Sequence, residues 1–332
     1  MSAEHRNSAP DRHDNAPEQT ADSAATRPGR PARDDQVPTG GVVAGLDGTD
    51  KDRTVLAFAV RQAEILGAPL HLLMAQEVHA GLVGAWEAGF IPMGLESELG
   101  QRSSRALDGT LPRLAADHPA VTVTASQPWG TPSQALVDAS DQARLVVVGS
   151  GRKGTLERIL LGTTSLNTAM HASCPVVVVG DDPGDVRRPV VVGVDGSDHS
   201  IRAATVAGDE ASRRGVALVV VTTWWLEVVD GIVVTEEGSP QWERVESGYR
   251  KMIDQVLRPI RDKHPDLAIE IDLRNARAVG TLLERAGDAG LVVVGGRGHG
   301  GFAGMALGSV SHKVLQRCLI PVAIVRAQAH TD

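Results

Sequence analysis

Short apolar runs alternate with longer segments of helical period along most of this chain. In its second half, valine-rich runs lie at about 189–194, 216–222, 267–273, 290–295 and 321–326. Amphipathic segments lie between these runs, at about 200–214, within 240–263, at 281–288 and at 309–318. Apolar strands that alternate with helices predict an α/β fold, in which helices bury a parallel sheet on both faces.

The pattern occurs twice. Leu145–Gly149 returns as Leu291–Gly295, and Pro175–Val179 returns as Pro321–Val325 at the same offset. An internal repeat of this length indicates two copies of one domain, and we predict their limits as 40–181 and 187–328. Ligands of such sheets bind beyond the carboxyl ends of the strands, where the strand order reverses.

The first 39 residues differ from the rest of the chain. They contain no Leu, Ile or Phe, and five prolines are scattered among their polar residues. A segment of this composition cannot bury enough apolar surface to offset the entropy lost on ordering. We therefore predict that residues 1–39 form a disordered tail.

Charge and cysteine content narrow the classes of function. With 33 Lys and Arg against 41 Asp and Glu, the net charge is -8, which argues against a nucleic-acid-binding protein. The apolar runs are far shorter than the roughly 20 residues of a membrane span, and the polar N-terminus lacks the apolar core of a secretory signal. Cys174 and Cys318 have neither disulfide-framework nor metal-site spacing. We expect a cytoplasmic protein that binds neither membranes nor nucleic acid.

A glycine-rich loop follows the fourth strand of the second copy, from Gly295 to Ser311. Its glycines, Gly298 among them, allow positive φ and close approach of the backbone to a ligand. The loop leads into a helix that begins near Ser309, where free N–H groups and the positive end of the helix dipole favour an anion. An ordinary surface loop is the alternative, but the same loop returns as Gly149 to Ser165.

Two nucleotide motifs fit this loop poorly. G-x-G-x-x-G occurs at 149–154 and 296–301, but a dinucleotide fold carries it after the first strand and has an acid about 20 residues later. No Asp or Glu lies between Gly301 and Thr331. The Gly-Lys-Ser/Thr of a Walker A loop is also absent from both copies.

The spacing Gly295-x-x-Gly298, nine residues, then Gly308-Ser309 resembles the ATP-binding motif of the universal stress protein family. Val194-Asp195-Gly196-Ser197 and the closing Pro321-Val322 are similar to the same family. The resemblance implies two tandem doubly wound, Rossmann-like domains, each with five parallel strands in the order 3-2-1-4-5, in a pseudo-twofold arrangement. Family members commonly dimerise through the fifth strand, so 176–179 is expected to lie antiparallel to 322–325 within one chain. Whether two chains also form a homodimer is left open.

The resemblance also implies the ligand and its contacts. ATP, with or without Mg²⁺, would lie between the first and fourth strands, with Asp195 at the adenosine side and Val194 and Thr223 lining the base pocket. The ribose and phosphates would contact Gly295, Gly298, Gly308, Ser309, Val310 and Ser311. Asp195 has a second interpretation, because Asp-Gly-Ser commonly forms a turn in which Asp binds its own backbone.

The first copy departs from the motif. Arg152 occupies the position of the second glycine, where a side chain would fill space near the phosphates, although Arg152 or Lys153 could also donate to a phosphate. The candidate contacts that remain are Asp47, Gly149, Gly162 and Thr163. We therefore expect the stronger ATP site in the second copy.

Three classes of function compete. The first is a stress-response regulator whose bound adenine nucleotide is recognised by a protein partner. The second is a slow ATPase or a nucleotidyl-transferring enzyme of the same wider fold, and the third is a nucleotide-free scaffold. Hydrolysis needs a positioned water, a base and usually a metal clamp, whereas the sequence offers Asp195 and His299 without a convincing acidic metal pair. We expect no enzymatic activity. Trp224 and Trp225 follow the second strand of the second copy, where an aromatic side chain could cover adenine or pack against the long connecting helix.

Overall fold

The structure is a computed structural model that describes residues 36–76, 95–151, 161–225, 227–229, 231–298 and 307–327. Nearly all of the predicted tail, 1–39, lies outside these residues, as do Arg152, Lys153 and His299. The domain limits of 40–181 and 187–328 stay predictions.

The first repeat alternates strands and helices in the predicted way. In chain order its described elements are β1 (Val42–Gly45), α1 (Asp52–Leu66), β2 (Leu70–Leu73), α2 (Leu95–Asp117), β3 (Val123–Ser126), α3 (Pro132–Ser140), β4 (Leu145–Gly149), α4 (Thr163–His171) and β5 (Val176–Val179).

The second repeat has the same order with one addition. Its elements are β6 (Val190–Gly193), α5 (Asp198–Arg214), β7 (Leu218–Trp224), β8 (Val228–Val229), β9 (Ile232–Val233), α6 (Pro240–Lys263), β10 (Ile269–Asn275), α7 (Ala278–Ala286), β11 (Leu291–Gly295), α8 (Ser309–Arg317) and β12 (Val322–Val325). The antiparallel pair β8–β9 was not predicted, because strands of two residues are too short to show a period.

Ten strands form one continuous sheet in the order β10-β7-β6-β11-β12-β5-β4-β1-β2-β3. Each repeat has the predicted order 3-2-1-4-5, and all pairs inside a repeat are parallel. The repeats join through β5 and β12, which are antiparallel with Val178 opposite Val322 and Val176 opposite Ile324. This contact confirms the pairing expected from two apolar edge strands that carry no charge.

Local sequence explains where the helices begin and end. Helix α5 begins after Ser197, whose hydroxyl accepts from the backbone N–H of Ser200 at 3.3 Å, and it ends at Gly215 in the left-handed conformation. Helix α6 begins after Ser239 with Pro240 in its first turn. None of the described helices combines the length and the apolar character needed to cross a membrane.

Side chains also join the two repeats. Gln62 of α1 donates to the carboxylate of Glu210 of α5 at 2.6 Å, and both residues are buried. Arg214 donates to the same oxygen of Glu210 at 2.6 Å. Arg61 donates to the carbonyl groups of Pro183 and Gly184 in the segment that joins the repeats. The repeats therefore pack as one body rather than as two domains on a free tether.

Candidate functional site

In the second repeat, the strand order reverses between β6 and β11, which are paired and in register. A cavity of about 440 Å³ lies at their carboxyl ends, where ligands of open α/β sheets bind. All nine residues that the sequence analysis assigns to the second repeat line this cavity: Val194, Asp195, Thr223, Gly295, Gly298, Gly308, Ser309, Val310 and Ser311.

Asp195 shapes the turn between β6 and α5. Its Oδ1 accepts from the backbone N–H of Ser197 at 3.0 Å and from the Ser197 hydroxyl at 2.6 Å. The Oγ of Ser200 accepts from the N–H groups of Asp195 and Gly196 at 3.3 and 3.1 Å. The turn-forming interpretation of Asp195 is therefore confirmed, and the same carboxylate also lines the cavity.

Two glycines at this site allow parts of the chain to approach closely. A Cβ added at Gly298 would lie 2.3 Å from Oδ2 of Asp195, and one added at Gly295 would lie 2.9 Å from the backbone nitrogen of Ser200. Neither glycine has a positive φ, so the positive φ allowed for Gly298 is not found. A Cβ at position 298 would therefore force the Asp195 carboxylate to move from its place in the turn.

The start of α8 is held against the end of β11. The Ser311 hydroxyl donates to the carbonyl of Gly295, and the N–H of Gly308 donates to the carbonyl of Gly296 at 2.7 Å. Gly308 precedes the helix in an extended conformation, and no side chain caps it. Because Ser309, Val310 and Ser311 line the cavity, the first turn of α8 offers its N–H groups to a ligand there.

Basic side chains lie near the described start of the glycine loop. Arg297 lines the cavity, although the sequence analysis did not select it. Burial lowers the pKa of His199, and the charges of Arg297 and Arg326 lower it further. Burial and the charge of Arg297 also lower the pKa of Arg326. The described lining therefore combines one basic side chain, Arg297, with one carboxylate, Asp195, and the arginines near the loop attract an anion locally in a protein of net charge -8.

Two further lining residues come from α7, namely Ala278 and Leu282. The sequence analysis missed them because their place depends on how α7 packs, not on a local motif. Arg297 could have been found from its position inside Gly295-x-x-Gly298.

The two tryptophans at the end of β7, Trp224 as its last residue and Trp225 just after it, have different surroundings. Trp224 is buried and packs edge to face against Trp242 of α6, with ring centroids 4.6 Å apart. Of the two interpretations of Trp224, packing against the connecting helix is therefore the one observed. Trp225 is half exposed, and the Arg277 guanidinium lies 5.5 Å from its ring centroid.

The first repeat has the same backbone plan. Asp47 follows β1, and Gly149 ends β4, which pairs with β1 in parallel. Gly162 precedes α4, Thr163 begins it, and Gly162 donates to the carbonyl of Ser150 at 2.9 Å.

In the crevice between β1 and β4 of the first repeat, the carboxylate of Asp52 takes the place that the hydroxyl of Ser200 has in the second repeat. The N–H groups of Asp47 and Gly48 donate to Asp52 at 3.1 and 2.9 Å, in the way that Asp195 and Gly196 donate to Ser200. Burial, with a contribution from the charge of Asp47, raises the pKa of Asp52 to about 6. The first crevice therefore contains an acidic group where the second contains a neutral one.

A family model described as "Universal stress protein family" matches residues 40–180 and 187–326. The chain belongs to the universal stress protein family. Among curated universal stress proteins, one from Mycolicibacterium smegmatis is 37% identical over 295 residues, which are 86% of this chain and 97% of that protein. One from Mycobacterium tuberculosis is 33% identical over 298 residues, with 86% and 97% covered. A solved universal stress protein from Archaeoglobus fulgidus has a TM-score of 0.64 at 18% identity and covers 86% of this chain and 98% of its own. The last similarity supports the fold alone.

Proposed function

We propose that this universal stress protein is a regulatory protein that binds ATP in the crevice of its second repeat. The observation that carries the proposal is the close contact between Gly298 and Asp195: a Cβ at Gly298 would lie 2.3 Å from Oδ2 of Asp195 and would displace that carboxylate. A sequence motif that resembles an ATP-binding motif thus coincides with a cavity at the point where the strand order reverses.

The lining of the cavity suits the different parts of a nucleotide. Ala278, Leu282 and Val194 offer apolar surface that suits a base, and Thr223 also lines the cavity. Arg297 and the first turn of α8 offer positive charge and N–H donors, which suit phosphates.

Within the described residues, no three His, Cys, Asp or Glu side chains converge on a metal position. Any Mg²⁺ would therefore be held mainly by the phosphates of the ligand. We propose that the protein binds ATP without appreciable turnover, and that a partner protein recognises the bound state. A steady-state hydrolysis rate near the enzyme median of about 10 s⁻¹, lost in Asp195→Ala, would contradict the non-enzymatic part of the proposal.

The binding proposal is tested by calorimetric titration of the full chain with ATP. Gly298→Ala places a methyl group against the Asp195 carboxylate, so we expect the affinity to fall at least tenfold, which is about 1.4 kcal/mol. Gly248→Ala is the matched control, because a Cβ there meets no atom within 4 Å, and it should bind ATP as the parent does. Unchanged binding in Gly298→Ala, with binding lost in Asp47→Ala, would assign the site to the first repeat instead.

A further inference from the structure

A second cleft lies beside the proposed ATP site and shares part of its wall. The cleft has a volume of about 560 Å³, and Thr223, Ala278 and Val310 line both it and the ATP cavity. Its outer part is formed by Trp225, which is 49% exposed, and by three basic side chains: Arg277, Lys313 and Arg317. The two spaces are therefore neighbours, and the second is large enough for a substantial part of a small molecule.

The basic groups of the cleft have no acidic partners in the described parts of the chain. No ion pair joins Arg277, Lys313 or Arg317 to a carboxylate there, and no described lining residue is acidic. Lys313 and Arg317 lie one turn apart on α8, and Arg277 stacks on the Trp225 ring. Three unneutralised cations around one concave surface attract an anion, although the whole protein is acidic.

The first repeat does not carry these charges. Helices α3 and α7 are equivalent, and so are α4 and α8, since each pair has the same length and the same place in its repeat. The residue before α3 is Thr131, where Arg277 precedes α7. Asn167 and His171 occupy the positions of Lys313 and Arg317. The fold therefore does not require the three cations, and their clustering belongs to the second repeat.

We propose that this cleft binds the second half of a dinucleotide whose first half occupies the ATP cavity. The inference rests on the proposed function. The ligand class follows from the wall chemistry: Lys313, Arg317 and Arg277 can neutralise phosphates, and Trp225 offers an aromatic surface for a base. Val310, in the first turn of α8, lines both spaces, so the phosphate chain of one small ligand can pass there from the ATP cavity into the cleft. This continuity favours such a ligand over an acidic segment of a partner protein.

The test compares ATP with diadenosine tetraphosphate in calorimetric titrations of the full chain. We expect the dinucleotide to bind about tenfold more tightly than ATP. The double variant Lys313→Gln with Arg317→Gln should remove that gain while changing ATP affinity less than twofold. The matched control is Lys251→Gln with Arg258→Gln, which removes two exposed charges from α6 and should leave both affinities unchanged. Melting curves of both variants verify that they fold.

The outcomes separate this inference from the proposed function. Equal affinities for ATP and the dinucleotide, or a dinucleotide affinity that the Lys313 and Arg317 substitutions leave unchanged, would overturn the cleft assignment and leave ATP binding intact. A polyglutamate peptide could instead bind to the parent and fail to bind to the same double variant, while the dinucleotide binds no more tightly than ATP. That result would assign the cleft to a protein partner and would also overturn the dinucleotide assignment. Absence of binding by both nucleotides would overturn the proposed function itself.

Discussion

The two crevices of this protein share a backbone and differ in charge. In both repeats a serine after the glycine loop donates to the last carbonyl of the fourth strand, as Ser165 does to Gly149 and Ser311 does to Gly295. In both, the backbone N–H of the glycine that precedes the last helix of the repeat donates to an equivalent carbonyl. Gly162 donates to Ser150 in the first repeat, and Gly308 donates to Gly296 in the second. The fold therefore supplies the shape of a nucleotide crevice twice.

The side chains then separate the crevices. The first repeat has Gly151 and Gly180 after β4 and β5, where the second has Arg297 and Arg326 after β11 and β12. Asp52 adds a carboxylate to the first crevice, where Ser200 leaves the second neutral. At these described positions the second repeat carries more positive charge than the first, whereas Arg152 and Lys153 of the first loop lie outside the described residues. The comparison teaches that duplication preserved the geometry while the electrostatics diverged.

The largest predicted effect comes from breaking the contact that makes the two crevices parts of one body. Val177→Lys combined with Ile324→Lys places charges on opposite faces of the junction between β5 and β12, at side chains only 2% and 1% exposed. Burying unpaired charges costs several kcal/mol, so we expect unfolding or aggregation, measured by thermal melting and size-exclusion chromatography.

The control for this junction is Ile271→Lys, on the partly exposed edge strand β10. Its melting temperature should stay close to that of the parent. A soluble double variant whose repeats unfold independently at the melting temperature of the parent would show that the stability of the repeats does not depend on the junction between β5 and β12.

A smaller effect is expected when the charge difference between the crevices is exchanged. Ser200→Asp introduces into the second cavity the carboxylate that Asp52 supplies in the first, beside Asp195. A second negative charge near bound phosphates should lower ATP affinity about tenfold, or about 1.4 kcal/mol, in a titration at pH 7. The reciprocal Asp52→Ser should leave binding at the second repeat unchanged. Equal ATP affinity in Ser200→Asp and the parent would show that the charge at this position does not distinguish the two crevices.

The sequence predicted most of this architecture, because its signals were local or repeated. Valine runs of strand length identified the strands. The uncharged runs at β5 and β12 indicated that these edges are paired, and the family resemblance implied that they pair with each other, antiparallel. The glycine spacing and the family resemblance led to nine of the residues that line the second cavity. The contributions of Leu282 and of the Trp225 cleft could not be found in this way, since they depend on how α7 and α8 pack across the sheet. Asp52 was missed because its role appears only when its hydrogen bonds are compared with those of Ser200.

The smallest effect concerns the pH dependence of stability that Asp52 introduces into the first repeat. Its pKa is raised from 3.8 to about 6, chiefly by burial, so the folded protein holds a proton that the unfolded chain releases between these values. The protonated carboxyl therefore stabilises the fold below about pH 4, and this contribution is lost as pH rises through about 6.

In Asp52→Ser the hydroxyl can still accept from Asp47 and Gly48, as Ser200 does in the second repeat. Because Asp52 is partly exposed, we expect the variant to gain only on the order of 1 kcal/mol relative to the parent between pH 4.5 and pH 7, measured by urea unfolding. Asp50→Ser, which removes an exposed carboxylate from the same turn, should show no comparable change. A stability difference between Asp52→Ser and the parent that is constant over this range would contradict the assignment of the buried charge.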